Sequence, residues 1–339
     1  MIFRNSSLES ILITSRLETL TELGESFPIR RLDPNNAIQL LLRSSRLSVD
    51  RTIGELESKP EILALASRLD GLPLAIVIAG SYIRQTGASI ARYLQLYQES
   101  WSSLQLQSKP GRQYQGNMLQ TWLISYHEIQ KRDSNAARLL LLFAHFDNRD
   151  IWYELIRSGC NDSAAPVWLY ESAATFLGFS NKVRILIEFS LIEFKQQGES
   201  YAMHPVVQDW CLHITSTNEN MNSLVLKEVA LISVGYIVPS KSERNYAELQ
   251  RRLVPHANYI LGRDWLGDDT RVRVTLHSLG KLYANQGKLK EAEEMYRRAL
   301  AGYEKALGPD HTSTLDTVNN LDILYCHQGK LSETEEMYQ

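Results

Sequence analysis

Apolar residues recur at helical spacing through most of this chain. Leu276, Leu279 and Tyr283 illustrate the pattern, because residues three and four positions apart fall on one face of an α-helix. The same spacing predicts helices at 36–43, 60–70, 73–85, 90–101, 134–146, 176–189, 224–237 and 246–261. Two short segments, 191–195 and 200–203, flank a turn-forming tripeptide and predict a β-hairpin. The pattern therefore predicts a mainly α protein.

One segment near the start has a different pattern. Residues 8–14 are apolar on both faces of a strand, which is typical of the interior of a parallel sheet. A parallel strand needs neighbours, so we expect its sheet partners to precede Met1. We interpret residues 1–30 as the C-terminal remnant of an α/β subdomain.

An internal repeat lies near the end of the chain. The segments 279–297 and 321–339 are offset by 42 residues and are identical at 12 of 19 aligned positions, including QGKL and EEMY. Each predicts two helices joined at a glycine, since glycine tolerates the left-handed conformation that ends a helix. The stretch LGPDH at 307–311 interrupts the second helix. This organisation predicts an α-solenoid.

The repeat resembles the 42-residue tetratricopeptide repeats of kinesin light chain. The residues at that family's characteristic positions are Gly280, Tyr283, Gly287, Ala292, Tyr296 and Ala299. In the second unit Asp322 replaces Gly280. Thr334 likewise replaces Ala292, so we expect looser packing there. Because such units bury their apolar faces on one another and the second one stops at Gln339, we expect further repeats downstream.

Composition and charge exclude several classes of protein. The chain has 339 residues, 44% of them hydrophobic, and a net charge of −3, which does not favour bulk binding to nucleic acid or to a membrane surface. Its cysteines, Cys160, Cys211 and Cys326, form no metal-ligand pair and fit a reducing compartment, so we expect a cytoplasmic protein. The longest apolar stretch, 72–79, is too short to span a bilayer.

Three short motifs contain residues suited to contact an anion or a flat ring. Arg16 follows the apolar strand, where α/β proteins bind phosphates, and a plain surface arginine is the alternative. Pro73 opens a helix just after Gly71, and its ring could lie against a purine or serve only as helix punctuation. His204 stands at a helix N-terminus, a position that attracts anions, with helix capping and packing on Trp210 as the alternative.

In their order these motifs resemble the NB-ARC module of STAND-class signalling ATPases, most closely the fungal, NLR-like type with C-terminal tetratricopeptide repeats. ILITSR at 11–16 is similar to the strand with the sensor arginine, LDGLPLAI at 69–76 to the GLPL motif, and MHPVVQDW at 203–210 to the MHD-type motif. The resemblance implies that Pro73 packs on adenine, His204 contacts the β-phosphate of ADP and Arg16 senses the γ-phosphate. The cofactor implied for the intact family is ADP or ATP. Pro205 departs from the plant motif, which has aspartate there.

The phosphate-binding half of such a module is absent from this sequence. It contains no G-x-x-x-x-G-K-[ST] segment and no apolar strand that ends in paired acids for Mg²⁺. Because phosphoryl transfer needs both parts, we expect no ATP hydrolysis and at most weak binding of ADP. No zinc-type or serine-hydrolase motif occurs either, so we expect neither a metal site nor a catalytic residue.

The resemblance divides the chain into five segments. These are the α/β remnant at 1–30, a helical ARC subdomain at 31–112, a winged helix at 113–215, a helical linker at 216–268 and two tetratricopeptide repeats at 269–339. The implied function is a nucleotide-switched signalling scaffold of innate immunity. Its repeats would bind a protein or peptide, and the intact form would assemble into homo-oligomers.

Two alternatives remain open. A nucleotide-independent adaptor would use only the groove of the repeats to bind a peptide. A DNA-binding winged helix is disfavoured, because residues 173–193 carry only Lys182 and Arg184 as positive side chains, too few to follow a phosphate backbone.

Overall fold

The structure, a computed structural model, describes residues 3–4, 11–12, 31–47, 60–105, 116–196, 198–217, 223–262 and 269–329. Within these ranges the chain forms fifteen α-helices and two antiparallel strand pairs, so the prediction of a mainly α fold is confirmed. The helices are α1 (Pro34–Ser45), α2 (Pro60–Arg68), α3 (Pro73–Thr86), α4 (Ile90–Gln105), α5 (Gly116–Arg132), α6 (Ser134–Phe143), α7 (Tyr153–Ser158), α8 (Val167–Ala173), α9 (Phe176–Glu188), α10 (Pro205–Thr217), α11 (Ser223–Tyr236), α12 (Tyr246–Leu261), α13 (Asp269–Asn285), α14 (Leu289–Leu307) and α15 (Thr312–Gln328). The strands are β1 (Phe3–Arg4), β2 (Ile11–Leu12), β3 (Ile192–Lys195) and β4 (Ser200–Met203).

The strand predicted at 8–14 differs from the prediction in its pairing. β2 pairs antiparallel with β1, with Phe3 opposite Leu12 and Arg4 opposite Ile11. The prediction of a parallel neighbour was therefore wrong for this pair, and sheet partners before Met1 stay a prediction. An unbroken apolar run indicates burial on both faces, but it carries no information on the direction of the neighbouring strand.

The helices α1 to α4 pack into a helical block. Asp33 caps α1 by accepting a hydrogen bond from the Asn36 N–H at 3.0 Å, and Pro34 takes the first helical position, where no N–H is needed. α1 and α3 approach closely at Gly80, where a Cβ atom would lie 1.9 Å from Ser44 Oγ. The four helices predicted between 36 and 101 are confirmed to within about one turn at their ends.

The middle of the chain forms a winged helix from α6, α9 and the β3–β4 hairpin. The hairpin pairs Ile192 with Met203 at one end, and Ile151 adds a single bridge by donating its N–H to the Tyr201 carbonyl at 2.9 Å. The rings of Phe143 and Phe179 contact Tyr201 and fill the space between the helices and the hairpin. The predicted order of helices followed by a hairpin is therefore confirmed.

The helix α11 lies between the winged helix and the repeats and is buried along most of its length. On one side Ser158 Oγ donates to the Ser233 carbonyl at 2.6 Å, and a Cβ atom on Gly159 would lie 2.4 Å from Ser233 Oγ. On the other side a Cβ atom on Gly235 would lie 2.7 Å from the Cα atom of Thr275 in α13. The backbone of α11 thus approaches both neighbours closely at these two points. The helix α11 therefore packs on the winged helix with one side and on the first repeat with the other.

The helices α13 and α14 form the first repeat, and α15 begins the second. Gly287 has a φ of 71° between the paired helices, which glycine adopts without strain. Gly280 lies against Tyr296, where a Cβ atom would be 2.5 Å from the ring. Asp322, at the position equivalent to Gly280, is buried. Residues 330–339, which include Thr334, lie outside the described residues, so looser packing of the second unit stays a prediction.

Candidate functional site

Pro73 lies at the first position of α3, directly after a turn in the left-handed region. Asp70 and Gly71 have φ angles of 56° and 63°. The Gly71 carbonyl accepts from the Leu32 N–H at 2.9 Å, and a Cβ atom on Gly71 would lie 2.4 Å from the Leu32 carbonyl oxygen. Only glycine satisfies both the φ angle and this contact. Arg31 also forms an ion pair with Asp70, so the turn fixes where α3 begins.

The Pro73 ring lies at the surface. The Pro73 side chain is exposed, although Ala75 and Ile76 in the same turn are buried in the core. Leu72, at the N-cap position, supplies no side-chain hydrogen bond to the first turn of α3. The first turn of α3 is therefore held in place by the Gly71–Leu32 hydrogen bond and by the buried side chains of Ala75 and Ile76, while the Pro73 ring stays exposed.

His204 lies between β4 and α10 and caps that helix. Its Nδ1 atom accepts a hydrogen bond from the Val206 N–H at 3.2 Å, and its carbonyl accepts from the Gln208 N–H at 3.0 Å. Because Nδ1 is an acceptor, the neutral ring carries its proton on Nε2. The side chain is exposed, so Nε2–H is a donor at the surface. Capping and anion binding are therefore compatible, since they use different ring nitrogens.

The backbone on either side of His204 is anchored to the winged helix. The Met203 N–H donates to the Asn148 carbonyl at 2.8 Å, and the Asn148 side chain donates to the Met203 carbonyl at 2.7 Å. In α10, Gln208 Nε2 donates to two carbonyls just after α6, at 3.1 and 2.7 Å. Trp210, the suggested packing partner of His204, contacts the rings of Trp122 and Tyr126 in α5. These contacts fix the position of His204 without engaging its Nε2 atom.

The helix α3 and the β3–β4 hairpin connect Pro73 to His204 within the fold. Pro73 opens α3, and the other half of α3 contacts the turn after α9, where the Ser81 and Ser190 hydroxyls lie 2.6 Å apart. That turn leads into the hairpin that ends just before His204. Arg16, the third predicted contact, lies outside the described residues. The part of the chain that the structure describes thus contains two of the three predicted nucleotide contacts.

The β3–β4 hairpin, which forms the wing of the winged helix, is held by α12. Arg252 donates to both carboxylate oxygens of Asp150 at 2.8 and 2.9 Å and to the Gly198 carbonyl at the hairpin tip at 3.3 Å. Its guanidinium lies 4.1 Å from the centre of the Trp152 ring. Burial raises the pKa of Asp150, but hydrogen bonds from Arg252 and Ser200 outweigh it and bring the pKa below its usual value. A wing tied to its own chain is not free to enter a nucleic-acid groove.

A second contact from α12 is deeply buried. His256 Nδ1 accepts from the Asp147 N–H at 3.1 Å, and Nε2 donates to the Asp150 carbonyl at 2.7 Å. Burial lowers the pKa of His256, and the neutral ring satisfies both partners. Sequence reasoning missed both Arg252 and His256. The available signal was their spacing of four residues, which places them on one face of the predicted helix.

The positive side chains of α9 are already paired with carboxylates. Lys182 lies 3.4 Å from Asp133, and Arg184 lies 3.8 Å from Glu188. The first turn of α9 is apolar instead, since Phe176 is 61% exposed. DNA-binding winged helices present a recognition helix that contacts bases and phosphates. This surface therefore gives the DNA-binding alternative no support.

The first helices of the two repeats expose one stripe each. The stripe on α13 consists of Val274, Lys281 and Asn285, and that on α15 of Asp316, Asn319, Ile323 and Cys326. His277 Nδ1 and Thr317 Oγ1 lie 2.9 Å apart and bring the two helices into contact. Burial, followed by the charge of Lys281, lowers the pKa of His277 to about 4. The two stripes together offer a surface of mixed polar and apolar character.

Two structural features are absent from the described residues. They contain no group of three or more histidine, cysteine or acidic side chains placed to hold a metal ion. None of their helices combines the length and hydropathy needed to cross a bilayer.

Comparisons with known proteins match two parts of this description. A family model of the tetratricopeptide repeat matches residues 272–313, which include all of α14. A protein of Hyaloscypha variabilis, described as a nucleotide-binding leucine-rich repeat (NLR)-like protein, is 28% identical over 263 residues. The alignment covers 74% of this chain and 25% of that protein, so the chain spans about a quarter of its relative's length. The predicted similarity to NLR-like proteins and the predicted presence of a tetratricopeptide repeat are thereby confirmed.

Proposed function

We propose that this chain, an NLR-like polypeptide with tetratricopeptide repeats, is the part of a signalling scaffold that couples a nucleotide-sensing winged helix to a protein-binding array. The NLR-like relative and the matched repeat support the scaffold. The packed helix α11, which joins the winged helix to the first repeat, supports the coupling. The nucleotide-sensing part is the finer proposal, and it rests on His204.

The observation that carries the proposal is the fixed donor at His204. The cap on the Val206 N–H holds Nδ1 as an acceptor, so Nε2–H points away from the helix as a donor. The N-terminus of α10 adds a partial positive charge at the same place. An N–H donor beside a helix N-terminus suits a phosphate oxygen, and we assign it to the β-phosphate of ADP.

Pro73 supplies the second contact of the proposed site. Its exposed ring on a rigid helix start is suited to lie against the flat face of adenine. Arg16 would complete the site by sensing the γ-phosphate of ATP. Because the sequence lacks the phosphate-binding loop and the paired acids, this chain binds nucleotide weakly and performs no hydrolysis.

The intact protein would use this site as a switch. ADP would favour a closed state through His204, and ATP would favour an open state that assembles into homo-oligomers. The repeats would sense a protein or peptide, and the setting would be cytoplasmic innate immunity. The coupling requires ADP and ATP to bind the two states with different affinities.

The test is binding of ADP to the 339-residue chain, followed by saturation-transfer NMR on the ADP protons. At a dissociation constant of about 1 mM the wild-type signal is readily measured. His204→Asp keeps a good N-cap, but it places a negative charge against the phosphates. We expect this variant to lose the ADP signal and to retain the stability of α10.

The chain offers a matched control for this substitution. His311 caps α15 in the same way, with Nδ1 accepting from the Ser313 N–H at 3.1 Å, and it lies in the repeats. His311→Asp therefore changes charge and cap equally without touching the proposed site, and we expect its ADP signal to equal that of the wild type. An equal loss in both variants, or a full signal in His204→Asp, contradicts the assignment.

The second candidate is a nucleotide-independent adaptor, and the exposed stripes of α13 and α15 favour it. They include apolar side chains at Val274 and Ile323, which are 44% and 46% exposed. This surface suits an extended peptide with alternating polar and apolar groups. A wild-type chain that gives no ADP signal, but binds a peptide through these stripes, would establish the adaptor instead of the switch.

A further inference from the structure

Four large apolar side chains on α8 and α9 are exposed on one part of the winged helix. Val167, Leu177 and Phe176 are 73%, 70% and 61% exposed, and they are the three most exposed large apolar side chains among the described residues. Tyr170, one turn after Val167 on α8, is 43% exposed. Single exposed apolar residues are ordinary, but a group of them within residues 167–177 marks a contact surface. We call these four side chains the apolar strip.

The apolar strip is held by ordered contacts beneath it. The Tyr153 ring lies 5.3 Å from the Phe176 ring and 5.3 Å from the buried Phe179 ring, measured between ring centres. Thr175 caps α9, because its side chain accepts from the Gly178 N–H at 3.2 Å. Side chains that are already ordered lose little conformational freedom when a partner binds, which favours their use as a binding surface.

An acidic pocket adjoins the apolar strip. It has a volume of about 250 Å³ and lies between the loop before α8 and the helix α11, and Pro166 in its wall directly precedes Val167. Asp162 and Glu228 line it, the remaining lining residues are apolar or glycine, and the described part of the chain contributes no basic side chain to it. Asp162 is 7% exposed and accepts from the Ala164 N–H at 3.4 Å, so its position is fixed. The pocket is smaller than the pockets of about 300–1000 Å³ that hold drug-sized ligands, and it suits a single inserted side chain.

The carboxylates of the pocket decide which partner fits. An apolar or acidic partner that covered them would enclose negative charge without compensation, which is costly. A second copy of this chain in a two-fold contact would bring a second pair of carboxylates to the same interface. A lysine or arginine side chain instead places its charge beside Asp162 and Glu228 and its methylene groups against the apolar wall.

The exposed charges on the neighbouring helices are mixed. Glu154 and Arg157 lie on α7, and Glu171 lies on α8. The basic residues of α9, Lys182 and Arg184, already pair with carboxylates. Selection for a basic partner therefore comes from the pocket rather than from its rim.

We propose that the apolar strip and the acidic pocket form a docking site for another protein. That protein binds through an amphipathic segment, with apolar side chains on the strip and one lysine or arginine in the pocket. The site goes beyond the proposed function, because it lies outside the repeats and includes neither Pro73 nor His204. The winged helix thereby gives the scaffold a second protein contact, separate from the groove of the repeats.

The test uses the full chain and a designed, fluorescent peptide of about 18 residues, or five helical turns, with leucines on one face and lysines on the other. A second peptide with glutamate in place of every lysine is the control for charge. Val167→Gln combined with Leu177→Gln makes the strip polar at two exposed positions, so the fold is kept, and Glu228→Gln removes one charge from the pocket. The matched control variants are Leu315→Gln, at a side chain 52% exposed on α15, and Glu248→Gln, at an exposed acid of α12.

Fluorescence anisotropy measures the affinity of each chain for the two peptides. We expect the lysine peptide to bind the wild type and both control variants equally. We expect it to bind the double strip variant and Glu228→Gln about tenfold more weakly, since each loses part of the contact. The glutamate peptide should bind the wild type at least about tenfold more weakly than the lysine peptide.

Several results overturn the proposal. These are no binding of the lysine peptide to the wild type, equal affinity for the two peptides, and an equal loss in the double strip variant and in Leu315→Gln. Light scattering tests the remaining occupant, because a wild-type dimer that the double strip variant dissociates assigns the strip to a second copy instead. If Glu228→Gln does not fold, the double strip variant and the glutamate peptide decide the proposal.

Discussion

Replacing Gly280 by alanine tests the tightest contact within the first repeat. A Cβ atom there would lie 2.5, 2.6 and 2.9 Å from three ring atoms of Tyr296, whereas ordinary contact begins at 3.4 Å. Tyr296 is 2% exposed, and His277 lies edge-on to its ring with 5.6 Å between the ring centres. The ring therefore has to withdraw by about 1 Å into space that is already filled.

The size of the effect follows from opposing contributions. Overpacking a filled interface costs about 1–3 kcal/mol, which includes a ring pushed off its preferred rotamer. Alanine in place of glycine within a helix returns about 1 kcal/mol, because the unfolded chain loses conformational freedom. We therefore expect Gly280→Ala to lower the local free energy of unfolding of α13 and α14 by up to about 2 kcal/mol.

Native-state hydrogen exchange is the suitable assay, because it measures the local stability of the repeat without assuming that the whole chain unfolds in one step. Tyr296→Leu removes the ring from the contact. In the double variant with Gly280→Ala we expect a coupling energy of about 1–3 kcal/mol, equal to the overpacking cost, since the added methyl group then meets free space.

Gly287→Ala serves as the control. Its φ of 71° strains an alanine, but no atom lies within 4 Å of the added Cβ. We expect a cost of about 1 kcal/mol that adds to that of Tyr296→Leu without coupling. A repeat stabilised by Gly280→Ala, or a cost that shows no coupling to Tyr296→Leu, would refute the close approach of the two helices.

Two further predictions concern charged groups. Between pH 7 and 5 the contact of α13 with α15 should weaken by about 1 kcal/mol, because His277 has a folded pKa of about 4 and protonates near 6.5 when unfolded. The stabilisation is complete above pH 6.5 and is lost as the pH falls towards 4, and His277→Gln should abolish this slope in hydrogen-exchange measurements. Arg252→Gln should destabilise the winged helix by about 2 kcal/mol in denaturant titrations, since it removes a paired, partly buried guanidinium. The exposed ion pair of Arg149 with Asp147 is the control. An equally large loss of stability in Arg149→Gln would contradict the expectation that the partly buried pair of Arg252 contributes more than the exposed pair.

Helical periodicity predicted the helices because each of them buries one face. The pattern at 246–261 gave the bounds of α12 to the residue, even though Pro255 lies inside that helix. The repeats were predictable because two segments 42 residues apart carry the same apolar pattern and therefore bury the same positions. What periodicity does not contain is the direction of a strand, and the antiparallel pairing of β2 with β1 was accordingly missed.

The candidate site was predictable only where it depends on local structure. Pro73 at the first position of a helix and His204 at a helix cap both follow from neighbouring residues in the sequence. The arginines that join separate helices were not predictable, because Arg84 and Arg252 find their partners across the fold. An arginine on a predicted helix has the same appearance in the sequence whether it faces water or another helix end.

The packing of α11 limits where the repeat array of this chain could be replaced by the array of a related protein. A repeat array transplanted from a relative at residue 268 would place a foreign side chain where Thr275 now meets Gly235. A larger side chain at position 275 would hold the α13 backbone away from α11 and leave a gap between the two helices. A side chain in place of Gly235 would likewise displace the array from the winged helix. We therefore expect an exchanged array to keep its packing on the winged helix when the exchange begins before Ser223, so that α11 and α12 are transferred together with the repeats.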